Sequence, residues 1–244
     1  MAPTPSLSKN AESPPIPDVY LEPPQYRVIP VLAALRNSLT LRAMNSSAPS
    51  SGIRKVIAVG ASAGGVEALK DLFQRLPPDL PAAIFTVLHI PPWADSHLPE
   101  IINKVSPLLA SHPRNGEHVR AGRIYVARPN CHLILDDSTV QLTNAPKENR
   151  NRPAVDPLFR SAALNYGPDA IGVVLTGALD DGTAGLWELK RRGGIAVVQD
   201  PREALHPQMP NSAIANVDVD YIVPLNEMAE LLTELCRSES GNGR

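Results

Sequence analysis

From residue 55 to about residue 236 the chain alternates between two hydrophobic periods, and that alternation predicts its architecture. Short apolar runs rich in β-forming residues lie at 56–60, 82–88, 171–175, 195–199 and 221–223. Between them, apolar positions recur every three or four residues. Val66, Leu69, Leu72, Phe73 and Leu76 mark one amphipathic helix, which Pro77-Pro78 stops. Further helices are predicted over 98 to about 109, with a break at Pro107, and over 155–166, 183–192 and 225–236. Short strands at 123–127, 133–136 and 140–142, separated by polar turns, read as a small hairpin insertion. Strands alternating with helices of this length require βαβ crossovers. The fold class is therefore α/β, a doubly wound, mainly parallel sheet with helices on both faces.

Residues 1–52 break the pattern. They hold nine of the 26 prolines and end in Asn45-Ser46-Ser47-Ala48-Pro49-Ser50-Ser51-Gly52. This composition predicts a disordered tail and linker ahead of a domain at 53–237, with a short disordered tail at 238–244. Within the first tail, 27–42 carries Val28, Ile29, Val31, Leu32, Leu35, Leu39 and Leu41 among arginines, an amphipathic docking stretch interrupted by Pro30. Met44, just before the linker, offers an alternative start. The first residues lack the basic head and apolar core of a secretory signal.

Composition narrows the function classes. A net charge of -2 gives no general argument for nucleic-acid or membrane binding, and 4% aromatic residues support no base-stacking platform. The two cysteines, Cys131 and Cys236, are far apart and form no CxxC spacing, so neither a disulfide scaffold nor a zinc site is expected. No apolar run approaches the roughly 20 residues that span a bilayer. The expectation is a cytoplasmic protein with no cofactor, no metal, no nucleic-acid partner and no membrane insertion.

Chemistry concentrates at three predicted strand ends, where ligands bind in open parallel sheets. Gly60-Ala61-Ser62-Ala63-Gly64-Gly65 places one hydroxyl on a tight strand-to-helix turn, with helix N-terminal N–H groups beside it. The same turn also suits a serine that only caps a helix, or a dinucleotide-type loop. The full G-x-G-x-x-G fingerprint is absent because Ser62 takes the place of its second glycine. Phe85-Thr86-Val87-Leu88 ends in His89, and the run through Thr176-Gly177 ends in Asp180-Asp181-Gly182. One acid of that pair should face the site while the other caps the following helix; position does not say which. Serine, histidine and aspartate at neighbouring strand ends make a hydrolytic triad the leading idea. The order serine, histidine, acid differs from the serine, acid, histidine order of α/β-hydrolases. His132, in a Pro129-Asn130 turn context, reads as structural.

Together these segments resemble the catalytic domain of the chemotaxis protein-glutamate methylesterases, the CheB family. The marks are Gly60-Ala61-Ser62-Ala63-Gly64-Gly65, Leu88-His89-Ile90-Pro91, Asn151-Arg152-Pro153-Ala154-Val155-Asp156, Leu175-Thr176-Gly177 through Asp181-Gly182, and Gln208-Met209-Pro210. The resemblance runs from residue 55 to about 235. It implies hydrolysis of glutamyl methyl esters on chemoreceptor helices, deamidation of certain glutamines as a related activity, and a chemotaxis methyltransferase as a further partner. By motif it assigns Ser62 as nucleophile, His89 as base and Asp181, rather than Asp180, as the orienting acid. It also implies an oxyanion hole built from backbone N–H groups of the 62–65 turn, Ala63 among them, and of Ala178. The family loop usually reads T-G-M-G-x-D-G, so Ala178 and Leu179 depart from it. Alanine keeps the N–H, whereas leucine resists backbone angles that glycine permits. Family members usually carry an N-terminal receiver domain of on the order of 100 residues; the 52 residues here predict a stand-alone catalytic domain. Two competing readings are a catalytically impaired partner-binding module, resting on the 178–179 loop, and a nucleotide-binding protein, resting on the glycine turn.

Overall fold

The computed structural model describes residues 55–238. The proline-rich segment 1–52, its apolar stretch 27–42, Met44 and the residues after 238 lie outside the described residues. In chain order the elements are β1 (Lys55–Ala61), α1 (Gly65–Gln74), β2 (Ala82–Leu88), α2 (Leu98–Asn103), β3 (Leu109–Ser111), β4 (Glu117–His118), β5 (Arg123–Val126), β6 (His132–Asp136) and β7 (Thr139–Thr143). They continue with α3 (Val155–Tyr166), β8 (Ala170–Val174), α4 (Thr183–Arg191), β9 (Ile195–Gln199), α5 (Gln208–Asn216), β10 (Tyr221–Val223) and α6 (Leu225–Arg237).

Seven strands form one sheet in the order β10-β9-β8-β1-β2-β5-β3, with every neighbouring pair parallel. From β1 the chain adds β2, then β3 at the edge and β5 between the two, and later returns to lay β8 on the other side of β1. The winding direction reverses there, which opens a crevice at the carboxyl ends of the central strands. β1 shows why such strands read as continuous apolar runs. Ile57 and Val59 join a core with α1, α2 and α6, whereas Val56 and Ala58 join one with α3, α4 and α5. Burying each larger side chain contributes about 1.5–3 kcal/mol. Gly60 breaks the run for a steric reason: a Cβ there would lie 2.3 Å from Val155 Cγ1. Its absence lets the N-terminus of α3 approach the carboxyl end of β1.

The structure departs from the sequence reading in three places. The helix predicted over 98 to about 109 ends at Asn103, and 109–111 is strand β3. Pro107 cannot donate an N–H, and it disfavours helical backbone at Ser106. Asn103 then turns the chain: its Nδ2 donates to the Ala110 carbonyl at 2.9 Å, and its Oδ1 accepts the Ala110 N–H at 2.7 Å. The residues expected to form a hairpin insertion divide between two sheets. β5 joins the parallel sheet beside β2, while β6 and β7 form the hairpin, which β4 extends to a three-stranded antiparallel sheet. Helix α5 is the third departure. It begins at Gln208 and carries Pro210 in its first turn, where a missing N–H leaves no helical bond unmade.

Candidate active site

Ser62 follows β1 directly. Its N–H donates to the Thr176 carbonyl at 3.0 Å and its own carbonyl accepts the Gly65 N–H at 2.9 Å, so the turn is tied to the loop after β8. The Thr176 hydroxyl adds a second tie, donating to the Ala63 carbonyl at 3.1 Å. Gly64, at φ 75°, supplies the left-handed step into α1. On the facing loop, a Cβ on Gly177 would lie 2.9 Å from the Ser62 Cβ and 2.1 Å from the Met209 sulfur. Only glycine lets these two loops and the start of α5 meet behind the serine.

His89 follows β2, the neighbour of β1, and its N–H donates to the Ala61 carbonyl at 3.2 Å. The ring spans the gap between the two other candidates. Nδ1 lies 3.1 Å from Ser62 Oγ, and Nε2 lies 2.6 Å from Asp181 Oδ2. With Nε2–H donating to the carboxylate, Nδ1 is left as the acceptor facing the hydroxyl. The structure thus brings Ser62, His89 and Asp181 into one hydrogen-bonded chain. The imidazole keeps 11% of its side-chain surface exposed, while the carboxylate keeps 2%.

Asp181 sits between β8 and α4, and its carboxylate also holds the start of α3. Oδ2 accepts the Val155 N–H at 2.8 Å and Oδ1 accepts the Asp156 N–H at 3.1 Å. Burial would push this carboxyl up, but hydrogen bonds from His89 and the Val155 N–H, with the charge of His89 and a bond from Asn149, hold it below the usual aspartate range. It is an anion built into the site. Asp180 lies exposed beside it. Contrary to expectation, the Asp180 side chain does not cap α4; the Gly182 and Gly185 N–H groups donate instead to Asp156 Oδ1, at 3.1 and 2.6 Å. Burial raises the Asp156 carboxyl above its ordinary value, with the nearby Asp181 charge adding to the effect. Asn149 separates the two acids, its Nδ2 donating to Asp156 Oδ2 and to Asp181 Oδ1 at 2.7 Å each.

A family model for the CheB methylesterase matches residues 57–232, a span that contains the whole of this arrangement. The chain belongs to the CheB methylesterase family. The crystal structure of the Thermotoga maritima CheB methylesterase catalytic domain superimposes with a TM-score of 0.71 at 34% identity, covering 76% of this chain and all of that one. A protein-glutamate methylesterase/protein-glutamine glutaminase of Burkholderia lata is 42% identical over 179 residues, 72% of this chain and 49% of that protein. A Leptospira interrogans relative, a putative protein-glutamate methylesterase/protein-glutamine glutaminase, is 38% identical over 182 residues, 74% of this chain and 94% of that protein. The chain therefore spans about half the length of some curated relatives and nearly all of others.

The loop at 178–179, where the sequence departs from the usual family reading, takes up a glycine-type backbone. Leu179 sits at φ 65°, in the left-handed region that glycine favours, with its side chain 59% exposed. For a leucine this costs roughly 1–2 kcal/mol. The loop shape is held from elsewhere: the Gly177 N–H donates to the His206 carbonyl at 2.9 Å, and the Gly177 carbonyl accepts the Met209 N–H at 3.0 Å. Neither the Ala63 nor the Ala178 N–H donates to an acceptor among the described residues.

Asn149 and Asp156 are the site residues that sequence reasoning missed as such. Asp156 belonged to a family motif, Asn151 through Asp156, without an assigned task. Asn149 lies two residues outside that motif in a polar loop, and only its conformation, φ 48°, marks it. His132 is structural as expected: it is buried, its Nε2 pairs with the Pro146 carbonyl at 3.0 Å and its Nδ1 accepts the Ala154 N–H at 3.3 Å. Among the described residues no group of three or more His, Cys, Asp and Glu converges to hold a metal, and no helix is long and apolar enough to cross a membrane.

Proposed function

We propose that this chain hydrolyses glutamyl methyl esters on the cytoplasmic helices of chemoreceptors, with deamidation of glutamine as a second outcome of the same chemistry. The observation that carries this reading is the chain of hydrogen bonds from Ser62 through His89 to Asp181. His89 Nδ1 takes the hydroxyl proton as Ser62 Oγ attacks the ester carbonyl carbon. Asp181 fixes the ring tautomer and stabilises the imidazolium that forms. The carbonyl oxygen becomes an oxyanion facing the N–H groups of Ala63 and Ala178. As the tetrahedral intermediate collapses, Nδ1–H passes its proton to the departing methoxide and methanol leaves. Water, deprotonated by the same nitrogen, then attacks the acyl-enzyme, giving the glutamate carboxylate and restoring Ser62.

A macromolecular substrate suits the surroundings of the triad. Trp93 is 86% exposed, Leu205 74% and Leu179 59%. Trp93 lines a cleft with His89, Leu205 packs beside Gly64, and Leu179 stands two residues before Asp181. Apolar side chains left in water around a reactive centre favour a partner that covers them.

The test is methanol release from methylated chemoreceptor membranes. Wild-type protein should release methanol and label with a fluorophosphonate at Ser62. Ser62→Ala should lower release at least about a thousandfold and abolish labelling. Full activity in Ser62→Ala would overturn the mechanism.

A further inference from the structure

Beside the triad, on the His89 side, lies a cleft of about 300 Å³ whose lining includes His89, Trp93, Lys147, Arg150 and Arg152. Three cations thus converge on a space that shares a wall with the general base. Several cations elsewhere on the surface meet acids, as in Arg160–Glu148, Lys190–Asp220 and Arg192–Glu188, while others, Arg120 and Arg128 among them, meet none among the described residues. Lys147, Arg150 and Arg152 meet no carboxylate among the described residues.

Arg152 is nonetheless fixed in place. Its guanidinium donates to Asn130 Oδ1 at 3.0 and 2.7 Å, and to the Asn144 and Ala145 carbonyls at 2.8 and 2.9 Å. All these acceptors are neutral, so the charge is held still without being cancelled. Arg150 is presented by unusual backbone. Asn149 and Arg150 are consecutive non-glycine residues at φ 48° and 66°. Asn149 points inward to Asp156 and Asp181, and the next side chain lines the cleft on the far side of the same turn. Left-handed backbone of this kind is kept where the surrounding structure over-determines it, and it concentrates at ligand sites.

A methyl ester is neutral and gains little from a cationic wall. A carboxylate gains directly, by Coulomb attraction and by charge-assisted hydrogen bonds to lysine and arginine. We propose that this cleft is an anion subsite that seats a carboxylate side chain of the protein substrate, about one helical turn from the scissile ester. Trp93, on the rim, packs against the stem of that residue. The inference rests on the esterase reading above and deepens it: the enzyme selects esters that have an acidic neighbour.

The test uses helical peptides carrying one glutamate γ-methyl ester, with either Glu or Gln three or four residues away. Methanol release and fluorescence anisotropy are measured for wild type, for Lys147→Ala/Arg150→Gly, and for Lys147→Glu. Glycine at 150 tolerates the left-handed backbone, and Arg152 is left alone because it holds two loops. Wild type should show a KM about three- to tenfold lower for the Glu peptide than for the Gln peptide, with kcat little changed. The preference should vanish in the double variant, reverse or vanish in Lys147→Glu, and shrink as salt shortens the Debye length from about 10 Å toward 3 Å. Equal KM values for both peptides in wild type, or a preference that survives the double variant, would overturn the subsite. A wild type that turns over neither peptide counts against the esterase reading, and anisotropy then decides the subsite by the same comparison of Glu and Gln peptides.

Discussion

Asp156 and Asp181 each cap the helix beside which the other stands. Asp181, just before α4, accepts the first N–H groups of α3, and Asp156, in the first turn of α3, accepts those of Gly182 and Gly185 at the start of α4. Each helix start carries partial positive charge, which compensates a buried carboxylate. The acid hydrogen-bonded to His89 is therefore held by the start of one helix while its own loop is held by an acid of that helix. Asp156→Ala leaves the α4 N–H groups without an acceptor and should cost about 1–3 kcal/mol of stability, read from urea denaturation. Asp156→Asn keeps an acceptor oxygen and should cost less.

The same pair gives the stability curve a defined shape in acid. The Asp181 carboxyl is lowered in the folded state, so its contribution is present above the unfolded value near 3.8 and is lost as pH falls through the folded value. Asp156 is raised, so its contribution has the opposite sense: it is full below about 3.8 and is lost as pH rises through the folded value. Asp181→Asn removes the first effect and one cause of the second. Its stability between pH 3 and pH 6, followed by chemical denaturation, should vary less with pH than that of wild type on both sides of about pH 4. An unchanged acid limb would show that Asp181 is not the ionised group described here.

Asn149 is expected to act through the acids rather than on substrate. Asn149→Gly preserves the left-handed backbone and deletes the amide that bridges Asp156 and Asp181. A hydrogen bond to a charged group is worth about 1.5–3 kcal/mol, so kcat should fall roughly 10- to 100-fold with KM little changed. Asn149→Asp adds a third carboxylate to the cluster and should be worse than Asn149→Gly in both activity and stability. The kcat–KM split from methanol-release kinetics separates this positioning role from a loss of substrate binding.

Leu179→Gly should be a gain. The leucine side chain is largely exposed, so its removal sacrifices little burial, while glycine adopts φ 65° without the Cβ clash. The variant should be more stable by about 1 kcal/mol, seen as a rise in Tm, with methanol release retained. A fall in stability would mean that Leu179 makes contacts that outweigh its backbone cost.

How much of this was legible in the sequence follows from how far each signal extends along the chain. Ser62 and His89 directly follow buried strands and Asp181 stands on the loop after a third, so the apolar period pointed at them and the topology brought the three strand ends together. α3 and α4 were readable because their apolar faces run for several turns. β3 and β4, with three and two residues, are too short to carry a period, and Pro210 masked α5. The hairpin residues divided because β5 is fully buried in its last three positions and suits a covered sheet, a difference too slight to read over four residues. Asp156 and Asn149 stayed hidden for another reason. Apart from each other, their partners lie 25 to 32 positions away, and nothing local distinguishes a carboxylate that caps a distant helix from one in solvent.

Ser62, His89 and Asp181 all stand on loops that leave the carboxyl ends of β1, β2 and β8, three adjacent strands. The loops at the other end of those strands, such as 75–81 before β2 and the turn at 167–169 before β8, carry none of the three. The molecule therefore has one reactive pole and one silent pole. Insertions, fused modules or binding proteins at the silent pole make no direct contact with the three residues. A partner that blocks the triad directly has to approach the pole where Trp93, Leu179 and Leu205 stand exposed.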